Sequence, residues 1–588
     1  MDRRAPSVAD KIHRMIPEAR VAHPVTESEA TRLAREIFRL DVSAKSLPGE
    51  YDDNFHLTVV DGREFVLKIM HPAREQSFVE MQCQALQHLA RRAPQLSLPR
   101  VCPTLSGDAF TVATLSDGTK RLVWLLTYVP GPVLAKVNPH SPELLRGLGE
   151  FLGQLDAALR DFSHPAVHRE LKWDLARAGW IRDYLHHIGD SAQRALVEKF
   201  LALYELEVVP ALPSLRRSVV YGDANDYNVL VSPAWPQPRR VVSVIDFGDM
   251  HYGLTMSEVA IAAAYSMLGE NDPLSAASAV VAGYHGVFPL SEDEISQLYA
   301  LIAMRLAVSV TNSAHRKSLV SGDPYVTVSE APAWEALEKV AAIHPRFARY
   351  TFRDACGLPA APQSEKVQRW LAFNTSNAAS ILGTDLQIAP SVVFDLSVGS
   401  TFLGADPSAS ETENLNEAIS RKMRSANAFV GIGRYNEARM LYTSPLFGAS
   451  ENPTDERRTI HLGIDMFAAP RTPVYAPFDG VVHVVAVNTA PLDYGPLVIL
   501  RHTTSDGLEF FTLYGHLARD TFDTLQVGQR ITRGHQFTRI GDVHENGGWA
   551  PHLHFQIIVD LLDHRSDFPG VAPASQRNVW TSLSPDPN

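Results

Sequence analysis

The stretch that decides the first fold is Tyr221-Gly-Asp-Ala-Asn-Asp-Tyr-Asn228, followed by Val244-Ile-Asp-Phe-Gly-Asp249. Asp223 and Asn228 stand in the D-x-x-x-x-N spacing of a phosphoryl-transfer loop. Such a loop sets a carboxylate near an acceptor hydroxyl and an amide oxygen on a metal ion. Asp246 follows Asp223 by 23 positions and opens Asp-Phe-Gly, where its carboxylate would hold Mg²⁺ bridging nucleotide phosphates. Upstream, Phe65-Val-Leu-Lys68 ends a strand-like run on a lysine, and Glu80 on the next helical run can pair with it. Each element alone is a common surface feature. Lysine, base, metal amide and metal carboxylate together, in this order, predict an ATP-dependent kinase.

Around that loop the sequence alternates on two periods. Thr58–Val60 and Glu64–Ile69 flank Asp61-Gly62, a hairpin turn signal. Ser77–Ala90 has a helical pattern, and Arg121–Tyr128 is a further strand-like run. After Pro130-Gly131 long helices dominate (Glu143–Leu159, Ala192–Leu206), broken by strand pairs near 218–232 and 240–247. Helices then resume from Ser257 to about His344. The expected fold is a two-lobed α+β unit over residues 1–355: a small strand-rich lobe followed by a large helical one.

The segments Leu47-Pro-Gly-Glu-Tyr-Asp-Asp-Asn-Phe-His56, Val66-Leu-Lys-Ile69, Gly222–Asn228, Ile245-Asp-Phe-Gly-Asp-Met250 and Glu258-Val-Ala-Ile261 resemble the aminoglycoside phosphotransferase/choline kinase-like superfamily, and within it the hydroxylysine kinases. The resemblance spans roughly residues 30–355 and implies a protein-kinase-like fold. By position it implies that Lys68 binds phosphates with Glu80 as its partner, that Asp223 is the base, and that Asn228 and Asp246 bind Mg²⁺. It also makes Ser46–Phe55 the phosphate-covering loop and Thr127–Gly131 the hinge beside adenine. One departure is Tyr221, where such enzymes commonly carry histidine; that position supports the loop, so activity is expected to survive. The expected acceptor is a hydroxyl on a small amine or amino acid, such as hydroxylysine or ethanolamine, with Asp226 and Asp249 as carboxylates for a cationic amine.

A second constellation lies near the C-terminus. His461-Leu-Gly-Ile-Asp465 separates a histidine and an aspartate by four residues around a glycine that permits close backbone approach. Tyr514-Gly-His-Leu517 contributes His516, and His552-Leu-His554 sets two imidazoles on one face of a strand. Two imidazoles and a carboxylate with an open fourth position make a catalytic zinc arrangement, and further histidines can orient water or stabilise an oxyanion. With Tyr475-Ala-Pro-Phe-Asp-Gly-Val-Val482, Gly528-Gln-Arg-Ile531 and Ile540-Gly-Asp542, these motifs resemble the lysostaphin-type zinc metallopeptidases over about residues 455–565, a mostly β unit. The resemblance implies His461, Asp465 and His554 as zinc ligands, with His516 and His552 on the water and oxyanion side. A peptide or amide is the expected substrate class; retention of the metal in a scaffold is the other reading.

Length and charge bound the rest. At 588 residues the chain exceeds one core. A net charge of −12 argues against nucleic acid as the main partner. Cys83, Cys102 and Cys356 lack metal or disulfide spacing. The N-terminus lacks a signal-peptide core, and Val259–Met267 is too short to cross a bilayer, so the expected compartment is the cytoplasm and no membrane partner is expected. Gly357-Leu-Pro-Ala-Ala-Pro-Gln363 reads as a linker, residues 356–454 as linker plus connecting subdomain, and residues 566–588 as an extended, Pro-rich tail. Kinase then peptidase resembles the front of bacterial fusion proteins that continue into a class III, PLP-dependent aminotransferase-fold domain; the chain would then be a fragment. A homo-oligomer is left open. Two other functions are the alternatives: an aminoglycoside-modifying resistance kinase, and a non-catalytic scaffold of a larger PLP-enzyme fusion.

Overall fold

The computed structural model describes residues 24–49, 51–319, 330–386, 388–404, 406–448, 452 and 454–588. Glu50, within the expected phosphate-covering loop, and the N-terminal residues read for a signal peptide lie outside them. The chain divides into two compact units, Met1–Gly357 and Leu358–Asn588. The first is a two-lobed α+β unit and the second is mostly β, as the sequence patterns predict. Among the described residues, no helix is long and apolar enough to cross a membrane.

The small lobe of the first unit is an antiparallel sheet. Val42–Leu47, Asp53–Val59, Glu64–Ile69, Lys120–Thr127 and Val101–Cys102 lie side by side in that order, and Phe110–Thr114 also pairs with Lys120–Thr127. Gly62, at φ 89°, turns the chain between the second and third strands, which sets Asn54 opposite Lys68. Alternation along Glu64–Ile69 buries Phe65, Leu67 and Ile69. They join Ala30, Leu33 and Phe38 of the helix Glu27–Phe38 in one core, so Lys68 is turned to the opposite face. Thr26 caps that helix by accepting from the Glu29 N–H at 3.2 Å.

In the large lobe, helices Pro142–Leu159 and Pro273–Val287 start where polar caps precede proline, Ser141 and Asp272 each accepting from a backbone N–H in the first turn. Helix Ser257–Ser266 is almost wholly buried. Strands Val229–Val231 and Val241–Val244 pair, as do Arg217–Val220 and His251–Leu254. The loop 221–228 and the Asp-Phe-Gly segment thereby leave the ends of these short ribbons.

The second unit is organised on an eight-stranded sheet, in the order Ser391–Phe394, Val430–Gly433, Ile464–Phe467, His552–Ile558, Glu509–Gly515, Gly495–Thr503, Gly480–Asn488, Arg530–Ile531. Two sequence expectations need correction here. Residues 356–454 are not a separate connecting subdomain: Ser391–Phe394 and Val430–Gly433 extend this sheet past Ile464–Phe467. A strand edge carries unpaired N–H and C=O groups, and the added strands pair them. Within the expected linker, Ala360 and Ala361 are buried and Pro362 opens the helix Pro362–Asn374. Residues 566–588 are not an extended tail either. Val571–Pro573 pairs with Arg458–His461, Arg577–Leu583 is a helix, and Ser584 Oγ accepts from Gln556 Nε2 at 2.7 Å. Pro569 precedes that strand and Pro573 ends it, and their turn signal masked the packed segment.

Candidate active sites

In the first unit the loop after Arg217–Val220 folds back on itself. Asn228 Nδ2 donates to Asp223 Oδ2 at 2.7 Å, and Asn225 Nδ2 donates to Oδ1 at 2.9 Å. Asn228 therefore has its amide oxygen turned away from the aspartate. Tyr221, the departure from histidine, donates its hydroxyl to the Ile245 carbonyl and meets the Phe247 ring edge-on at 5.0 Å. A tyrosine thus ties the loop to the Asp-Phe-Gly segment from below. Asp246 sits at φ 62°, accepts from Gly248 N–H at 3.2 Å, and approaches Lys68 Nζ at 3.4 Å. The lysine lowers the pKa of Asp246. Asp223 moves the other way, well above the usual carboxylate range, because burial and the nearby Asp249 disfavour its charge.

The expected Lys68–Glu80 ion pair is not formed. Lys68 pairs with Asp246, and Glu80 accepts from Gln84 Nε2 at 3.1 Å one turn along its own helix. The positive φ at Asp246 aims its carboxylate at the lysine, while the i,i+4 partner is Glu80's local choice. Thr127 is also committed internally: its hydroxyl accepts from the Arg100 N–H at 2.9 Å, and its own N–H donates to the Arg100 carbonyl. Asp226 is drawn partly inside, where burial raises its pKa to about 6.

Three residues to which the sequence reading gave no role hold this site. Arg305, 1% exposed, places Nη2 3.5 Å from Asp223 Oδ1 and lies over the Trp173 ring at 4.3 Å. Arg169 donates to the Gly248 and Met250 carbonyls and so clamps the Asp-Phe-Gly turn. Glu258, fully buried, accepts from the Gly222 N–H at 2.9 Å. No spacing rule connects these positions to the loop; only Glu258 carried a signal, as the first residue of the segment Glu258–Ile261 that contributes to the resemblance.

In the second unit His461, Asp465 and His554 offer donor atoms that all lie within 4.8 Å of one another. Asp465 pairs with His554 across adjacent strands, and His461 ends the strand Arg458–His461 four residues before Asp465, which brings the three residues together. Gly463 is required where it stands: a Cβ there would meet the Phe555 carbonyl oxygen at 2.6 Å and His554 Cε1 at 2.7 Å. His461 Nδ1 donates to the Arg434 carbonyl at 2.9 Å, so Nε2 carries a lone pair. Gln556 spends its amide N–H groups on Pro569 O and Ser584 Oγ, so its oxygen accepts from His554 Nε2 and leaves Nδ1 as a lone pair. These two lone pairs face each other at 3.0 Å, and each stands 3.1–3.2 Å from Asp465 Oδ1. Three acceptors converging on one point repel unless a cation sits among them. Ligand bonds of about 2.1 Å at tetrahedral angles put donor atoms about 3.4 Å apart, close to the spacing seen. The residues fit a divalent cation.

His516 and His552 stand beside this cluster with ring centroids 4.3 Å apart. Their Nδ1 atoms donate to the Asn546 and Ala550 carbonyls, which leaves Nε2 of each as an acceptor; His552 Nε2 is 3.6 Å from Asp465 Oδ1. Burial lowers the pKa of both and brings that of His461 to about 4. All three rings are neutral at pH 7. Asp465 is held well below the usual range: burial opposes its charge, and the Arg439 guanidinium beside it favours it. Arg439, absent from the sequence motifs, donates Nη1 to Asp465 Oδ2 at 2.6 Å and Nε to Glu437 at 2.8 Å.

Comparison with known proteins agrees with this division. A model of the phosphotransferase enzyme family matches residues 43–296, and one of peptidase family M23 matches residues 459–565. Hydroxylysine kinase of Danio rerio is 32% identical over 296 residues, covering 49% of this chain and 82% of that protein. The Mus musculus hydroxylysine kinase is 30% identical over 342 residues, covering 54% and 90%. An uncharacterized metalloprotease of Haemophilus influenzae is 31% identical over 131 residues, covering 22% of this chain and 25% of that protein. The chain belongs to the phosphotransferase enzyme family, with hydroxylysine kinases among its relatives, and carries a peptidase family M23 domain in its second unit.

Proposed function

We propose that the first unit transfers a phosphoryl group from ATP to the hydroxyl of a small amino alcohol or hydroxylated amino acid. The observation that carries this reading is the Asp223–Asn228 hydrogen bond beside the Lys68–Asp246 pair, in a chain 30–32% identical to hydroxylysine kinases over most of their length. Asn228 and Asp246 would hold Mg²⁺, which neutralises phosphate charge when bound. Lys68 binds phosphate oxygens. Asp223 takes the proton shed by the acceptor hydroxyl, on a carboxylate oriented by Asn225, Asn228 and Arg305. Its raised proton affinity suits a base that works near neutral pH.

In the second unit, His461, Asp465 and His554 would hold Zn²⁺, which supplies Lewis acidity toward a carbonyl and toward water. His552 and His516, neutral with free Nε2 lone pairs, accept and return a proton during hydrolysis of an amide. The fixed tautomers support this assignment, since each imidazole's other nitrogen is already spent on a carbonyl or amide oxygen.

The test is a coupled assay with ATP–Mg²⁺ across amino alcohols, hydroxylated amino acids and aminoglycosides. Turnover of the first two groups is expected, with loss of ~10³-fold or more in Asp223→Asn, where the general-base contribution disappears. Wild-type turnover by that variant, or turnover of aminoglycosides alone, would sink the assignment. For the second unit, metal analysis of wild type against His461→Ala reads zinc binding directly.

A further inference from the structure

The M23 match begins at residue 459, yet much of the wall around the metal-holding cluster comes from upstream of it. A cavity of about 220 Å³ opens on His461, Asp465, His516, His552 and His554. Its lining also includes Leu396, Leu415, Ile419, Leu441, Tyr442 and Phe447, all contributed by residues 391–448. Leu415 and Ile419 lie one turn apart on one face of the helix Thr412–Ser425. They pack in one core with Leu396 and Leu441, with Phe467 and Ala550 contributed by the matched stretch. Tyr442 and Phe447 pack with Val571 in a second cluster. The wall is therefore anchored to the sheet that carries the histidines.

The shape and chemistry of this chamber select what can reach the cluster. Its volume lies below the roughly 300–1,000 Å³ of pockets for drug-sized ligands, so the group it encloses is small. Its lining is largely aliphatic and aromatic, so an apolar group gains by entering; each buried methylene is worth roughly a fourfold gain in affinity. Arg458, Asp493 and Asp567 add a charged portion to the lining, which gives a polar end of the substrate a place to rest.

We propose that residues 391–448 form a specificity wall that restricts this centre to small amides carrying one apolar group: short peptides or acylated amines. This rests on the amide-hydrolase reading of the second unit. In the reaction the amide C–N bond breaks as a C–O bond to water oxygen forms, and the departing nitrogen leaves with a proton from that water. A long, glycine-rich peptide has no side group to fill the chamber and is a poor substrate.

The experiment uses the full chain, zinc-loaded and metal-free, with zinc content measured in each. Acetohydroxamate and phenylacetohydroxamate are titrated into the loaded protein, and acetamide and phenylacetamide into the metal-free protein, following binding by calorimetry. The phenyl probe of each pair is expected to bind at least tenfold tighter. Ile419→Trp, which fills the chamber, should abolish that ratio while zinc content stays unchanged. Leu415→Ala, which enlarges it and perturbs folding less, should shift the preference toward a longer phenylbutyryl probe. Equal affinities within both pairs, or ratios unmoved by both variants, would overturn the wall. If zinc is not retained, the hydrolase reading falls, and the metal-free pair still decides whether the wall selects apolar groups.

Discussion

Arg439 Nη1 donates to Asp465 Oδ2 at 2.6 Å, while the other oxygen of that carboxylate stands 3.1 Å from His461 Nε2. One buried guanidinium thus leaves Asp465 a single oxygen to present to a cation and keeps that carboxylate ionised. Groups that orient metal ligands from behind typically contribute about 10–100-fold to metal affinity. Arg439→Leu should therefore weaken zinc binding by about that factor, measured by chelator competition. It should also lower stability by about 3–5 kcal/mol, since the buried Glu437 loses its cation and keeps only the Leu396 N–H as a partner. Unchanged affinity in a folded Arg439→Leu protein would remove the arginine from the site.

Gly463→Ala tests the close approach between the two ligand strands. The new methyl would press on the Phe555 carbonyl and the His554 ring, both under 3 Å away. Because the neighbour on one side is backbone, the strand has to shift, and His554 with it. Zinc content should fall while the first unit's kinase activity is retained. Full zinc content would show that the strands separate without disturbing the ligands.

Arg305 lowers the proton affinity of Asp223, against burial and Asp249, which raise it. Arg305→Leu should raise that affinity further. A base must be unprotonated to act, so the acid limb of kcat/KM is expected to move to higher pH. Activity near pH 7 should then fall more than activity near pH 9. A pure loss of amplitude with the limb in place would assign Arg305 to packing against Trp173 alone.

Glu258 is buried, and burial raises its pKa from 4.5 to about 7. The folded state then binds this proton more tightly than the unfolded state does. Stability from the group is full below pH 4.5 and is lost as pH rises through about 7. Glu258→Gln keeps an acceptor for the Gly222 N–H and cannot ionise. Its thermal unfolding should show a flatter pH dependence across that window, and the variant should be the more stable protein at about pH 8. An unchanged slope would locate the dependence in another group.

Much of both sites was legible in the sequence because their chemistry is carried by short spacings. Asp223 and Asn228 lie in one loop, so the distance between them is set by five residues of backbone. His552 and His554 share a strand face because side chains there repeat every second residue. The strand that buries Phe65, Leu67 and Ile69 turns Lys68 the other way for the same reason. Residues 391–433 resisted reading because two four-residue strands carry no period strong enough to stand against a helix or a loop.

What the sequence determined by itself was the order of two families and the candidate residues that each motif sets side by side, since local spacing is written in the chain. Partners brought from afar were decided by tertiary structure alone. Lys68 met Asp246, 178 positions away, in place of Glu80, 12 positions away on the helical run that follows it. Arg305 came to Asp223 and Arg439 to Asp465 through packing that no motif encodes. The physical reason is that a buried charge takes whichever opposite charge the closed fold sets beside it, and sequence separation does not measure that distance.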